Sequence, residues 1–355
     1  MIKGFRILIL SPTVLPDVTG NAITAERWRR LLESAGAKVL VVASEKVSGG
    51  SFREIIQQFK PHLIHAHQAI KSGTLLLELE QMDTTKTIPR IVSVGGTDVN
   101  LSLHLLKERT ILDQVFKNAD IIITQSRAME WLLKKEFSGL EERLCFVPRS
   151  PVWLGDIPSD IRLTARCEPD SILFFLPAGI RPVKGNLECL EYFEKVHRLR
   201  DNARILFSGP SLDVKYTAFF SEKVLACRSF ATWIPAVAPE AMRSAYEGAD
   251  VVLNTSVSEG LSTVLLEAIA AGRTVLASDI PGNRWLMNGS EGGLCGLLYN
   301  SFNGNDFIQK AVSLIDNDAL RQSLQSSSRT KAKKLPSAEE ETEHLLAAYR
   351  TALQK

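Results

Sequence analysis

The sequence predicts an α/β protein made of two doubly wound domains. Short apolar runs with the length of buried strands alternate with longer segments of helical spacing along most of the chain. A polar, proline-rich stretch near the middle interrupts this alternation, which then starts again. The length of 355 residues also favours two domains over one. Because such alternation produces parallel strands joined by crossover helices, we expect two sheets, each covered by helices.

The first domain is predicted over residues 1–150. It opens with "FRILILSP" (5–12), an apolar run that a proline ends. The helix "AITAERWRRLLESAG" (22–36) follows a loop that contains Gly20 and Asn21. The alternation then continues with strand "KVLVVAS", helix "SFREIIQQF", strand "HLIHAH", helix "GTLLLELEQM", strand "RIVSVGG", helix "LLKERTILDQVFKNA", strand "DIIITQS" and helix "AMEWLLKKEF".

A linker is predicted over residues 151–170, and the second domain over residues 171–335. The last segment, 336–355, predicts a helix that packs back toward the N-terminal domain. Open α/β sheets bind ligands beyond the carboxyl ends of their strands, so we expect the two domains to face each other across a cleft that those loops line. The second alternation runs through "SILFFLPAG", "NLECLEYFEKVHRL", "ARILFSG", a helix near 215–226, "TWIPA", "PEAMRSAYEGA", "DVVLNTS", "GLSTVLLEAIAAG" and "TVLASD".

Composition excludes several function classes. The net charge is +2, from 42 basic and 40 acidic residues, so we expect no nucleic-acid partner. Five scattered cysteines without a C-x-x-C pair indicate reduced thiols and a cytoplasmic location. No apolar run approaches the ~18 residues of a membrane span, so membrane contact is expected to be peripheral at most. The sequence leaves the oligomeric state open.

The stretch "SVSEGLSTVLLEAIAAG" (256–272) carries the strongest chemical signal. Glu259 follows a predicted strand, and Gly260 and Leu261 are expected to open a helix whose free N–H groups can bind phosphate. Glu267 lies eight residues further on, about 80° around an ideal helix. Carboxylates accept bonds from sugar hydroxyls, so the pair fits the two ends of a nucleotide sugar. A capping charge and a surface residue are the alternative.

The loop "PAGIRPVKGN" (177–186) favours the nucleotide-sugar interpretation. Arg181 and Lys184 follow a strand of the same predicted domain, where they can neutralise a departing diphosphate. A surface pair before a helix would look the same in isolation. Together, the two loops predict a donor site.

Several motifs together resemble the signature of retaining glycosyltransferases of family 4, which have the two-domain GT-B architecture. The resemblance rests on "SEGLSTVLLEAIAAGRTVLASDIPGN", the preceding "DVVLNTS", "AGIRPVKGN" and the strand-end "HLIHAH". It implies that Glu259 lies near the donor sugar hydroxyls and that Glu267 binds the ribose. It also implies that Gly260, Leu261 and Ser262 offer amides to the diphosphate, which Arg181 and Lys184 neutralise.

"TGNAITAERW" (19–28) and "SVGGTDVN" (93–100) are similar to a narrower branch. This branch includes the glycosyltransferase 1 domain-containing proteins of animals and, more distantly, bacterial selenosugar synthases. Many family members have a histidine where this chain has Gly95, and many separate the arginine and lysine by five residues rather than three. The remaining donor-side candidates are Gly20 and Asn21, and the acceptor-side candidates are His67, Gly95, Thr97, Asp98 and Asn100.

We expect no metal and no cofactor. His65 and His67 share a strand face but have no evident third ligand, and "DND" (316–318) fits helix capping. The predicted reaction is metal-independent, retaining transfer of a hexose from a nucleotide sugar, with UDP the expected nucleotide, to an unidentified acceptor. Two alternatives stay open: a synthase that joins the sugar to selenophosphate or thiophosphate, and a protein that binds nucleotide sugars without catalysis.

Overall fold

A computed structural model describes residues 3–78, 87–287 and 293–354 of the chain. It divides the chain into two compact units. The first unit is Met1–Val152 with Pro336–Lys355, and the second is Trp153–Leu335. The predicted linker (151–170) therefore lies almost entirely in the second unit, where it includes a short helix.

The strands of both units are short and mostly buried. Within the described residues they are β1 (Arg6–Ser11), β2 (Lys38–Ala43), β3 (Leu63–His67), β4 (Arg90–Ser93), β5 (Ile121–Thr124), β6 (Leu144–Phe146), β7 (Ile172–Pro177), β8 (Ala203–Ser208), β9 (Ala231–Ile234), β10 (Val251–Asn254), β11 (Thr274–Ser278) and β12 (Gly296–Tyr299).

Helices connect nearly all of these strands. Within the described residues they are α1 (Gly20–Ser34), α2 (Gly49–Phe59), α3 (Gly73–Glu78), α4 (Thr97–Asn100), α5 (Leu106–Asn118), α6 (Arg127–Glu136), α7 (Ile161–Thr164), α8 (Asn186–Leu199), α9 (Val214–Ala226), α10 (Met242–Gly248), α11 (Thr263–Ala270), α12 (Pro281–Met287), α13 (Gly304–Asp316), α14 (Asp318–Ala332) and α15 (Ala338–Leu353).

Each unit contains one parallel sheet, which confirms the predicted α/β class. In the described residues the first sheet has the order β2-β1-β3-β4-β5-β6, and the second has the order β12-β11-β10-β7-β8-β9. Strand order reverses between β1 and β3 in the first sheet and between β7 and β10 in the second. Such switch points are where open α/β sheets leave a crevice for ligands.

Helix α15 is tied to the first unit by a buried carboxylate. Glu341 has no solvent-exposed surface, and it accepts hydrogen bonds from Arg27 Nη2 at 2.6 Å and Trp28 Nε1 at 3.0 Å, both on α1. The Ser150 amide, after β6, donates to the same carboxylate at 2.8 Å. Burial alone would raise the pKa of Glu341, but the charge of Arg27 and the bonds from Ser150 outweigh it and lower that pKa.

Two strands were not predicted, and both are edge strands. β6 has three half-buried residues, and β12 is half-buried at its centre. The predicted helix over residues 73–82 is observed as α3, and its remainder lies outside the described residues. None of the helices in the described part of the chain is long and apolar enough to cross a membrane.

Replacing Glu341 with alanine should strongly destabilise the first unit. The substitution leaves Arg27 buried without its carboxylate, and breaking a buried pair in this way costs about 3–5 kcal/mol. We expect the free energy of unfolding, measured by urea titration with circular dichroism, to fall by that amount.

Glu343→Ala is the matched control, because Glu343 is exposed on the same helix, and it should change stability by less than about 0.5 kcal/mol. The difference in free energy of unfolding between the wild type and Glu341→Ala should also depend on pH. It should be full above the ordinary carboxyl pKa and should shrink as the pH falls through the lowered pKa of Glu341. A loss no larger than that of the control would contradict the role of this carboxylate.

Candidate active site

The candidate donor site lies at the switch point of the second sheet. Because β7 and β10 are neighbours, the loops that follow them meet at the same edge. The Val257 amide donates to the Val183 carbonyl at 3.0 Å, and the Thr255 hydroxyl donates to the Lys184 carbonyl at 2.7 Å. These bonds join two loops that are about 70 residues apart in the sequence.

Lys184 and Glu259 form an ion pair across these loops. The Lys184 Nζ lies 2.6 Å from Glu259 Oε1, and both side chains are mostly buried, with 18% and 12% of their surface exposed. A short 3-10 turn, Pro182–Lys184, presents the lysine, and Gly185 ends the turn in the left-handed region with φ of 63°. A Cβ at Gly185 would lie 2.5 Å from the Thr255 carbonyl oxygen, so this close approach requires glycine.

Glu259 is held in its ionised form. Its Oε1 also accepts from Ser256 Oγ at 2.7 Å and from Asn254 Nδ2 at 3.5 Å. Burial would raise the pKa of Glu259, but the charge and hydrogen bond of Lys184, with the bonds from Ser256 and Asn254, lower it overall. The site therefore contains an ionised carboxylate in contact with the Lys184 side chain.

A buried polar layer lies next to this ion pair. Asn254 ends β10, and its Nδ2 donates to Ser262 Oγ at 2.8 Å. Asn283, on α12, donates to Asn254 Oδ1 at 3.2 Å and to the Ser278 carbonyl at 2.9 Å. The hydroxyl of Ser278 in turn donates to the Ser256 carbonyl at 2.6 Å.

The sequence contained one signal for this layer. Asn254 and Ser278 are polar residues that end mostly apolar strands, and no role was predicted for them or for Asn283.

Helix α11 begins later than predicted. The N-cap is Ser262, whose Oγ accepts from the Leu265 amide at 3.3 Å, so Gly260 and Leu261 precede the helix instead of opening it. Glu259 is therefore a loop residue, and its predicted rotation about the helix relative to Glu267 does not apply. The hydroxyl of the cap fixes where the helix starts, because it satisfies an amide that the first turn leaves unpaired.

Glu267 lies on α11 and is half-buried. Its Oε2 accepts a hydrogen bond from the hydroxyl of Tyr246 at 2.8 Å. The structure thus gives each of the two predicted glutamates its own donor, a lysine for Glu259 and a tyrosine for Glu267.

Arg181 immediately precedes the turn that carries Lys184. Burial lowers the pKa of Arg181, and the charge of Glu259 partly offsets this effect. Among the described residues, the Arg181 Nε has no hydrogen-bond partner, and neither does the buried Asn186 Nδ2. The Asn186 Oδ1 accepts from the Arg181 amide at 3.3 Å. Two buried nitrogen donors at this point, one before the turn and one at the start of α8, therefore have no partner among the described residues.

In the first unit, Asp98 holds together the loops that follow β3 and β4. Its Oδ2 accepts from the Ala69 amide at 2.7 Å, and its Oδ1 accepts from the Gly95 and Gly96 amides at 2.9 and 2.7 Å. Burial raises the pKa of Asp98, while these three backbone bonds oppose the rise. The backbone of Thr97 and Asn100 lies with Asp98 in the short helix α4.

His67 and His65 are both buried around the Trp28 ring. His67 Nδ1 lies 3.0 Å from Ser93 Oγ, and His65 Nδ1 lies 2.7 Å from the hydroxyl of Tyr349. Burial lowers the pKa of each histidine to about 3, and the positive charges of Arg149 and Arg27 add to the effect at His67. Both rings are therefore neutral at physiological pH.

Gly20 and Asn21 were predicted in a loop, and this placement is wrong. They are the first two residues of α1, because Thr19 acts as N-cap and its hydroxyl accepts from the Ala22 amide at 3.2 Å. The pair therefore lies at the amino end of a helix that follows β1.

No group of three or more potential metal ligands occurs among the residues that the structure describes. In the "DND" segment, Asn317 caps α14 by accepting from the Leu320 amide at 2.8 Å, while Asp316 pairs with Arg200.

Comparisons with known proteins agree with this architecture. Residues 170–317 match the family model described as Glycosyl transferases group 1. The chain is 23% identical over 317 residues to glycosyltransferase 1 domain-containing protein 1 of Xenopus tropicalis, with 88% of each chain covered. It is similar to the solved structure of sucrose-phosphate synthase from Thermosynechococcus elongatus, with 16% identity, a TM-score of 0.77 and 98% of both chains covered. It is also similar to Anabaena HepE in complex with UDP and glucose, with 15% identity, a TM-score of 0.76 and coverage of 98% of this chain and 99% of that chain.

The folds and these matches together define a two-domain α/β protein of the GT-B class, as the sequence predicted. The matched segment contains both loops of the candidate donor site and helix α11. The similarity to the group 1 glycosyltransferases therefore lies in the second unit, which contains the candidate donor site.

Gly185→Ala should destabilise the second unit. The alanine would have to adopt a left-handed conformation and would collide with the Thr255 carbonyl. We expect a loss of at least about 2 kcal/mol in the free energy of unfolding, measured by urea titration.

Gly50→Ala is the control, since Gly50 lies in α2 with open space around its Cα, and alanine there should be neutral or stabilising. Equal effects of the two substitutions would show that the contact at Gly185 has no special cost.

Proposed function

We propose that this protein is a glycosyltransferase that moves a hexose-type sugar from a nucleotide-sugar donor, a UDP-sugar, to an acceptor with retention of configuration. The observation that carries the proposal is the mostly buried contact of 2.6 Å between Lys184 and Glu259 at the sheet's switch point. The similarity to HepE, which was solved with UDP and glucose, supports the choice of nucleotide and sugar.

The ion pair suits a donor that has both hydroxyls and phosphates. An ammonium group has three N–H donors, so Lys184 can keep Glu259 and still bind a phosphate oxygen. Arg181, with its buried Nε, would bind a second phosphate oxygen. Glu259 would accept from hydroxyls of the sugar, and Glu267 would accept from those of the ribose. The amides at the start of α11, next to Gly260, Leu261 and Ser262, would face the diphosphate.

In the proposed reaction, the bond between the anomeric carbon and the phosphate oxygen breaks, and its electron pair stays on the diphosphate. The acceptor oxygen bonds to the anomeric carbon on the face that the diphosphate leaves. The acceptor's proton passes to the departing phosphate oxygen. Lys184 and Arg181 stabilise the negative charge that develops there, which we expect to be the largest catalytic contribution.

The proposal includes neither a metal nor a cofactor. It keeps His67, Gly95, Thr97, Asp98 and Asn100 as acceptor-side candidates. Asp98 would act there by holding its loop, because its oxygens already accept three backbone bonds. A cytoplasmic location is also proposed, supported by cysteines that are all unpaired with one another in the described residues.

Donor identity and product are directly testable. A thermal-shift screen of UDP-, GDP- and ADP-sugars should show stabilisation by a UDP-hexose, because only a bound ligand raises the melting temperature. Mass spectrometry of products with candidate hydroxyl, selenophosphate and thiophosphate acceptors then identifies the nucleophile, and NMR gives the anomeric configuration. Activity should persist in EDTA. Tight donor binding without transfer or hydrolysis would instead indicate a non-catalytic binding protein.

Lys184→Ala and Glu259→Ala should each lower kcat by roughly 10²-fold or more, because each removes charge from the donor site. Initial rates of nucleoside diphosphate release measure the effect.

Lys223→Ala is the matched control, since it breaks a lysine–glutamate pair on the surface of the same unit, Lys223 with Glu191 at 3.1 Å. The control should retain the wild-type rate. Wild-type rates in either site variant would rule out this assignment of the donor site.

A further inference from the structure

We propose that Tyr246 is a positioning residue that fixes Glu267 for recognition of the donor's ribose hydroxyls. The inference rests on the proposed function and adds to it a residue that strengthens recognition of the ribose. Its basis is a hydrogen bond between two helices of the second unit, α10 and α11.

Packing around the Tyr246 ring holds its hydroxyl in one position. The ring is completely buried in the core of the second unit, where it packs edge-on against Phe175 of β7 at 5.8 Å between ring centroids. The Trp153 ring lies 5.9 Å from the Tyr246 ring, measured between centroids. With its ring held in this way, the hydroxyl reaches Glu267 Oε2 at 2.8 Å. A buried aromatic ring has few rotamers available, so the direction of this bond is fixed by packing.

The bond runs from a neutral phenol to a charged carboxylate. Burial, together with the charge and hydrogen bond of Glu267, raises the pKa of Tyr246 well above its ordinary value, so the hydroxyl keeps its proton. Hydrogen bonds to ionised acceptors are roughly twice as strong as those between neutral groups. Tyr246 therefore orients Glu267 strongly without neutralising it.

The two glutamates are held by different chemistry, and the difference fits different parts of one ligand. Glu259 contacts the cation Lys184, which a diphosphate also needs. Glu267 accepts from the hydroxyl of Tyr246, a neutral donor that leaves other lone pairs of the carboxylate able to accept from hydroxyls. A carboxylate that is oriented before the ligand arrives loses less conformational freedom on binding, and this increases affinity for a diol at a fixed position.

Tyr246→Phe tests the inference, because it removes the hydroxyl and keeps the ring in the core. The probe is whichever of UDP, GDP and ADP binds the wild-type protein most tightly, compared with its 2′,3′-dideoxyribose analogue by isothermal titration calorimetry. We expect Tyr246→Phe to weaken the nucleoside diphosphate about tenfold and the dideoxy analogue less than twofold, because the analogue has no hydroxyls for Glu267 to bind.

Tyr349→Phe is the matched control, since it removes an equally buried hydroxyl that bonds His65 in the first unit. It should change neither affinity. Glu267→Gln changes the acceptor of the same hydrogen bond. It should also weaken the nucleoside diphosphate more than the dideoxy analogue, which keeps the test decisive if Tyr246→Phe folds poorly.

The outcomes separate this inference from the proposed function. Equal losses for both nucleotides, or no loss for either, would overturn the positioning role of Tyr246 while leaving a nucleotide site in place. Failure of the wild-type protein to bind any of the three nucleoside diphosphates would overturn the proposed function, and this inference with it.

Discussion

The candidate site depends on one constraint, the strand order that makes β7 and β10 neighbours in the second sheet. Parallel strands end at the same edge, so the loops after these two strands must meet although they are distant in sequence. Two bonds involving backbone groups, from Val257 to Val183 and from Thr255 to Lys184, then fix the loops together. The contact between Lys184 and Glu259 follows from this strand order. A different order of the same strands would leave the lysine and the glutamate apart.

The buried layer next to Glu259 surrounds the ion pair of Glu259 and Lys184 with neutral hydrogen-bonding groups. Asn254, Ser262 and Asn283 bond to one another through neutral groups, and Asn254 also reaches Glu259. Amide and hydroxyl groups cost less to bury than charges when they are hydrogen-bonded. They therefore leave Lys184 as the counter-charge of Glu259, and the lowered pKa of Glu259 follows from that pairing.

Local pattern predicted the interior strands and the paired glutamates, but it could not give contacts between distant residues. Strands such as β10 are apolar on both faces because both faces are covered, and they stand out in the sequence. The edge strands β6 and β12 are half-buried and short, so their apolar signal is weak. The helix starts were misplaced where the capping hydroxyls of Thr19 and Ser262, instead of nearby glycines, decide the first turn. The sequence did not indicate a role for Tyr246, because a tyrosine in an amphipathic helix looks like any core residue.

The polar groups at the strand ends have different roles in the two units. In the second unit, the polar groups at the sheet's switch point include a charged pair and donors without partners among the described residues. In the first unit, the polar groups at strand ends largely serve the protein itself: Asp98 accepts three backbone amides, and His67 bonds Ser93. The pKa of His67, lowered to about 3, keeps that ring neutral, so it presents no charge that would identify a ligand. Charged groups therefore lie at the strand ends of the second unit, where the proposed diphosphate would bind, whereas buried side chains bonded to the protein itself hold the loops of the first unit.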